Sequence, residues 1–238
     1  MTNYMVYYCN FAGVYIKLFY MADNWNEYWK DPANLEFWSR PDKSVVTLLQ
    51  AIDRSRVNRV LDLGCGIGRH SIISAKAGLN VTAMDQSPEA LNILRNKMQE
   101  EGVSLKIIEG SLSPSLFPRN YYDLIIAFNV VYHGFRQDMQ NSINVASYWL
   151  KQGGLFFFTC PTRRDGKFGN GEKVAPNTYR PLNSVHPGDL HYFSDELDLM
   201  DFLRGFRVKE KKIDEYTWNN NGNKQVNSYY QILAVKEK

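Results

Sequence analysis

At 238 residues the chain is long enough to bury one sizeable core, and no internal repeat or low-complexity linker divides it. Its 28 Lys+Arg against 25 Asp+Glu leave a slight positive excess with no basic block, so a dedicated nucleic-acid surface is not indicated. Cys9, Cys65 and Cys160 lie far apart and lack the paired spacing of a zinc site, which reads as reduced thiols in a cytoplasmic protein with no metal centre.

The segment Tyr4 to Tyr20 is aromatic-rich and mostly apolar, but Asn10 and Lys17 interrupt it and no basic region precedes it. It suits neither a signal peptide nor a membrane span, and no membrane partner is expected. Residues 1–20 read as an N-terminal extension: either synthesis starts at Met21, or the segment is an extra helix packed on the domain or on a second subunit. The domain itself is expected over 21–238. Next, Trp25, Tyr28 and Trp29 fall at i, i+3 and i+4, which places them on one face of a helix docked by its aromatic side, and Phe37 and Trp38 follow.

The run Val60-Leu61-Asp62-Leu63-Gly64-Cys65-Gly66-Ile67-Gly68 is apolar, broken by one acid and closed by three alternate glycines. It predicts a buried parallel strand and a turn, then a helix from Arg69 to Ala77 that Gly78 ends. Glycines let a ligand lie against the backbone, and the helix start offers unpaired N–H groups. A dinucleotide fingerprint needs a glycine where Arg69 stands, which argues against NAD or FAD. Asp62 beside the loop would repel a pyrophosphate and receive a cationic amine. Leu79 to Asp85 reads as a second strand with an acid at its tip, suited to accept both hydroxyls of a ribose.

Acid, apolar residue, Gly-x-Gly-x-Gly and a later strand-tip acid, here Asp62-Leu63-Gly64-Cys65-Gly66-Ile67-Gly68 and Asp85, resemble the class I S-adenosylmethionine-dependent methyltransferases. The resemblance runs from about Val57 to the end of the chain. It implies S-adenosylmethionine as cofactor, with Asp62, Gly64, Cys65, Gly66, Gly68 and Asp85 around it, and an N-terminal helical lid, here about residues 21–55.

Past the loop the chain alternates strand and helix, as a doubly wound sheet requires. Ser87 N-caps a helix with Pro88 at its first position, and Gly102 ends it. Ser104 to Glu109, Leu124 to Phe128 and, after a Gly153-Gly154 turn, Leu155 to Cys160 read as the third to fifth strands, with a helix from Arg136 to Leu150. Phe206 to Asp214 and Gln225 to Val235 flank the polar turn Asn219-Asn220-Asn221-Gly222. The expected fold is α/β: one mostly parallel, seven-stranded doubly wound sheet with helices on both faces and a C-terminal antiparallel pair.

Ligands in open α/β sheets lie beyond the carboxyl ends of the strands. At the third tip the resembled family often carries an acid that binds the adenine amino group, where this chain has Ser111; its hydroxyl can still accept that bond. Gln86 and Leu112 are candidates to flank the ring. At the fourth tip, Asn129 is placed toward the methionine end of the cofactor. Asn129-Val130-Val131-Tyr132 lacks the two prolines of similar nucleic-acid and glutamine N-methyltransferases, which argues against amide and exocyclic-amine acceptors. His133, just beyond, has an ordinary pKa near 6.5 suited to a general base, or it caps the following helix or bonds a loop carbonyl. His70 is expected to be structural, and Arg69 to meet the cofactor carboxylate or a neighbouring acid.

Pro161 to Phe193 is a long polar connection carrying Arg163, Arg164, Lys167, Lys173, Arg180, His186 and His191 with Asp165, Glu172 and Asp189. It reads as an insertion loop at 161–193, either a solvated flap or one wall of an acceptor pocket. Parts of it look loosely like small-molecule methyltransferases related to the tellurite-resistance group. The expected activity is therefore methyl transfer from S-adenosylmethionine to a small molecule. The alternatives are a non-catalytic S-adenosylmethionine-binding or regulatory protein and, less favoured, a nucleic-acid or protein methyltransferase.

Overall fold

A computed structural model describes residues 7–11, 14–18, 22–182, 189–220 and 223–237. Tyr7–Phe11 (β1) and Val14–Leu18 (β2) pair antiparallel as a hairpin. That corrects the helix considered for this stretch, and the run Val14-Tyr15-Ile16 has the β-branched and aromatic character that favours strands. The rest of residues 1–20 lies outside the described residues. Three short helices follow: Ala22–Tyr28 (α1), Pro32–Phe37 (α2) and Lys43–Ala51 (α3). Asp31 and Asp42 cap the last two by accepting from the backbone N–H of Ala33 (2.9 Å) and Ser44 (2.8 Å).

The alternation then runs Arg59–Leu63 (β3), Arg69–Lys76 (α4), Asn80–Asp85 (β4), Pro88–Glu100 (α5), Lys106–Glu109 (β5), Tyr122–Ala127 (β6), Arg136–Trp149 (α6) and Leu150–Pro161 (β7). Glu172–Ala175 (β8), Thr178–Arg180 (β9) and His191–Tyr192 (β10) make a separate three-stranded sheet, and Glu196–Phe202 (α7) precedes Phe206–Asn220 (β11) and Asn223–Lys236 (β12). The main sheet has the order β11-β12-β7-β6-β3-β4-β5, with β12 antiparallel to both its neighbours and the strands from β7 to β5 parallel. The doubly wound, seven-stranded reading therefore holds.

Two details differ from the sequence reading. β7 runs straight through Gly153-Gly154, and the register shift against β6 falls between Tyr122 and Leu124. The glycines serve an irregularity in a continuous strand and not a turn between helix and strand. The C-terminal strands are also longer than their apolar patches, because cross-strand pairing carries them outward to Asn220 and Asn223.

Burial along β6 shows why these strands read as apolar runs. Ile125 and Ala127 face a core with Met139, Ile143 and Trp149 of α6, whereas Leu124 and Ile126 face Val45, Leu48 and Leu49 of α3. Both faces are covered, so alternation between polar and apolar residues disappears. The order of winding reverses between β3 and β6, and the chain leaving each of those strands meets at the crevice where ligands bind in such folds.

Candidate active site

The loop after β3 is tight for reasons internal to the protein. A Cβ on Gly64 would overlap the Val130 methyl groups, and one on Gly68 would overlap Leu94. At Gly66, where φ is +51°, a Cβ would stand 2.8 Å from the Trp29 ring. The glycine spacing therefore makes room for neighbouring side chains as well as for anything bound above the loop. Trp29 is buried, and its indole N–H has no hydrogen-bond partner among the described residues. A buried donor without an acceptor is costly, so this one fits a ligand oxygen lying over the loop.

Asp85 ends β4 beside that loop. One of its carboxylate oxygens accepts from the Gly66 N–H (2.8 Å) and the other from the Ser87 N–H (2.9 Å). Burial raises its pKa, while these two backbone donors pull it back down. The acid is thus fixed between the glycine loop and the start of α5, where Ser87 caps as the sequence indicates, accepting from the Ala90 N–H at 3.2 Å. Gln86 is half-buried next to it. The Gly110 N–H donates to the Asp85 carbonyl (2.9 Å), bringing the tip of β5 alongside; there Ser111 is exposed and Leu112 packs partly against the core.

Asp62 is not a surface acid waiting for an amine. It is 2% exposed and accepts from the Ser71 hydroxyl at 2.5 Å, and burial pushes its pKa up to about 7. Its partner Ser71 lies on α4, so the acid ties the end of β3 to the helix that follows the loop. Cys65 is likewise buried, with its thiol pushed well above the ordinary range by burial and the two nearby aspartates.

Arg69 and His70 serve the N-terminal segment. The Arg69 guanidinium donates to the Arg40 carbonyl (3.1 Å) and lies over the Trp38 and Phe128 rings. His70 accepts from the Asp42 N–H (3.1 Å) and packs on Phe128, a structural role. Beyond them, Tyr28, Trp29, Ile67 and Ala90 form one buried cluster, and the Ser87 hydroxyl donates to Asn26 Oδ1 at 2.7 Å. The aromatic segment is thus docked on the glycine loop and the start of α5. Trp25 reaches further, edge-on to His133 with ring centroids 5.4 Å apart.

At the tip of β6, Asn129 takes φ +59°, a conformation that asparagine tolerates better than most residues. Its backbone N–H donates to Thr159 Oγ1 and the same hydroxyl donates to Asn129 Oδ1, both at 2.8 Å, so β7 fixes this side chain. The Asn129 carbonyl is met by His133 Nε2 at 3.1 Å. A carbonyl only accepts, so Nε2 carries the proton. Burial, reinforced by Lys167, pushes the His133 pKa down to about 4. The ring is neutral at physiological pH, and its Nδ1 lone pair faces Asp189 Oδ2 at 3.6 Å. This geometry does not suit the free general base anticipated for His133, because one nitrogen is bonded to backbone and the other faces a carboxylate.

The described part of the connection, residues 161–182 and 189–193, packs a small core of its own. Phe168, Tyr179 and Phe193 pack edge to face as a small aromatic core, and Asp165 accepts from the N–H groups of Lys167 and Ser228, both at 3.0 Å. His186 and the turn residues Asn221 and Gly222 lie outside the described residues. Sequence reasoning named Asp189, His191 and His133 but did not join them. The pattern Asp189-Leu190-His191, with both side chains on one face of an extended segment, is the signal that was available.

Residues 60–154 match the family model described as "Methyltransferase domain". The "Ubiquinone biosynthesis O-methyltransferase" of Shewanella sp. (strain ANA-3) is 31% identical over 151 residues, which cover 60% of this chain and 63% of that protein. The chain spans less than two thirds of the length of the curated relatives it matches first. Among solved structures, Burkholderia thailandensis 1,6-didemethyltoxoflavin-N1-methyltransferase, described with bound 1,6-didemethyltoxoflavin and S-adenosylhomocysteine, superposes with a TM-score of 0.65 at 18% identity over 92% of this chain and 88% of its own. A SAM-dependent methyltransferase from Methanosarcina mazei gives 0.66 at 17% identity over 80% and 97%. These likenesses establish a common fold.

Proposed function

We propose that the chain is a class I S-adenosylmethionine-dependent methyltransferase and transfers the methyl group of S-adenosylmethionine to a small-molecule acceptor. The observation that carries this reading is Asp85, held by the Gly66 and Ser87 N–H groups at the tip next to the switch point. Its remaining acceptor capacity suits a pair of ribose hydroxyls. S-adenosylmethionine, when bound, supplies a methyl group on a sulfonium whose leaving group is neutral, so the protein has chiefly to align the partners and exclude water.

In this reading the glycine loop and Asp85 hold the nucleoside, Gln86, Ser111 and Leu112 line the adenine side, and Asn129 faces the methionine end. The buried Trp29 N–H donates to a polar oxygen of the cofactor. Asp62 ties the end of β3 to the helix that follows the loop. The 25–38 segment, docked on the loop, closes over the site, and the sheet β8 to β10 forms the acceptor wall. The acceptor is a small molecule and not a nucleic acid, since the chain carries no basic block. Free, buried Cys65 and Cys160 suit the cytoplasm.

Calorimetry with S-adenosylmethionine, S-adenosylhomocysteine and NAD tests the cofactor. Micromolar binding of NAD with none of S-adenosylmethionine would overturn the reading. Transfer of label from S-adenosylmethionine into a metabolite extract tests turnover and finds the acceptor; tight cofactor binding with no transfer from any extract leaves the regulatory alternative.

A further inference from the structure

The tip of β6 and the strand β10 are locked together by backbone. The Gly134 N–H donates to the Leu190 carbonyl (2.8 Å), the Tyr192 N–H donates to the Tyr132 carbonyl (2.9 Å), and His133 and His191 stand directly opposite in an antiparallel bridge. Directly opposed residues project to the same face, which brings the two rings edge to face at 5.0 Å. Asp189 precedes His191 by two residues, so it turns to that face as well. One nitrogen from each ring and a carboxylate oxygen of Asp189 all lie within 4.8 Å of one another.

Asp189 is the unusual member. It is 0% exposed, and neither of its oxygens accepts a hydrogen bond from a described residue. A carboxylate out of water with no donor is expensive, and such groups are found paired with a cation or protonated. His133 Nδ1 stands 3.6 Å from one of its oxygens, while His133 Nε2 is engaged by the Asn129 carbonyl.

That arrangement matches a metal centre in a further respect. A ligating histidine commonly donates its other ring N–H to a backbone carbonyl, which fixes the tautomer and raises the basicity of the ligating nitrogen. The Nε2 of His133 does this with Asn129.

We infer that His133, Asp189 and His191 bind a divalent transition-metal ion of the zinc or iron type. Two imidazoles and one carboxylate favour these ions over magnesium or calcium, which prefer oxygen ligands. Ligand bonds of about 2.0–2.2 Å would need the three groups to draw together by about an ångström, within reach of small side-chain rotations. The inference reverses the expectation of no metal, which rested on cysteine spacing alone. Three protein ligands leave a coordination position open, suited to an anionic oxygen or sulfur of the acceptor; only this last clause rests on the methyl-transfer reading.

Equilibrium dialysis of the full chain against Zn2+, with Asp189→Asn and His191→Gln alongside, is the test. The expected result is stoichiometric Zn2+ in the wild type, weakened at least about tenfold in each variant, with excess Mg2+ unable to displace it. Zn2+ uptake equal in wild type and both variants, or absent from the wild type, would overturn the inference. Titration of the wild type with Co2+ needs no variant to fold: an intense visible ligand-field band of four- or five-coordinate Co2+ supports the site, and a spectrum like that of aqueous Co2+ overturns it. S-adenosylhomocysteine calorimetry on the same samples reads the cofactor site separately, so failure of either assignment is distinguishable from failure of the other.

Discussion

Trp29 lies against Gly66 so closely that a Cβ on the glycine would stand 2.8 Å from the indole ring. The N-terminal aromatic segment and the glycine loop are therefore one unit, although 37 positions separate the two residues by their numbers. Trp29→Phe keeps most of the ring and removes the buried N–H. It is expected to leave thermal stability nearly unchanged and to weaken S-adenosylhomocysteine by about tenfold, the scale of one hydrogen bond. Hydrogen exchange checks the closure itself: residues 25–38 should gain protection when the cofactor binds, and unchanged exchange there would assign the segment to plain packing.

Asp85 serves the loop and the ligand together. Asp85→Ala should weaken S-adenosylmethionine by roughly 1–3 kcal/mol and also lower the melting temperature, because the Gly66 and Ser87 N–H groups lose their acceptor. Asp85→Asn retains one acceptor oxygen and should fall between the two. Calorimetry and thermal melts read these effects independently.

Asp62 makes stability depend on pH. Burial raises its folded pKa to about 7, above the usual value of an unfolded aspartate, so the folded state holds the proton more tightly. Its contribution is favourable at low pH and is lost as pH rises through about 7. Asp62→Asn, which carries no charge, should lose less stability than the wild type between pH 5 and pH 8 on this scale. Parallel loss in wild type and variant, followed by denaturant unfolding at each pH, would show that the acid is not protonated when folded.

Phe193 is fully buried between Phe168 and Tyr179. Phe193→Ala should cost about 3–5 kcal/mol where the site cannot collapse, and it should loosen the wall formed by β8 to β10. On an identified acceptor the change should raise KM more than it alters cofactor affinity. Steady-state kinetics beside calorimetry measures both.

The order of strands and helices from Arg59 to Pro161 was legible because the central strands there, β3 and β6 above all, are covered on both faces, which writes unbroken apolar runs into the chain. Caps and glycines marked the helix ends for a local reason: Ser87 and Gly78 act through bonds and dihedrals within a few residues of themselves. The loop Gly64 to Gly68 and the acid Asp85 were legible on the same terms, since a strand, a tight turn and a strand-tip acid are all short-range patterns. Tertiary structure alone decided what the side chains around them do. Asp62 became a buried support because Ser71 of the next helix turned toward it, and Arg69 was drawn to Arg40 and Trp38 from an element nearly thirty residues earlier. The cluster of His133, Asp189 and His191 depends on an antiparallel bridge between segments more than fifty residues apart, and no periodicity in either segment encodes that meeting. Local conformation follows from neighbouring residues, whereas the field and the partners of a buried charge follow from whatever the folded chain brings against it.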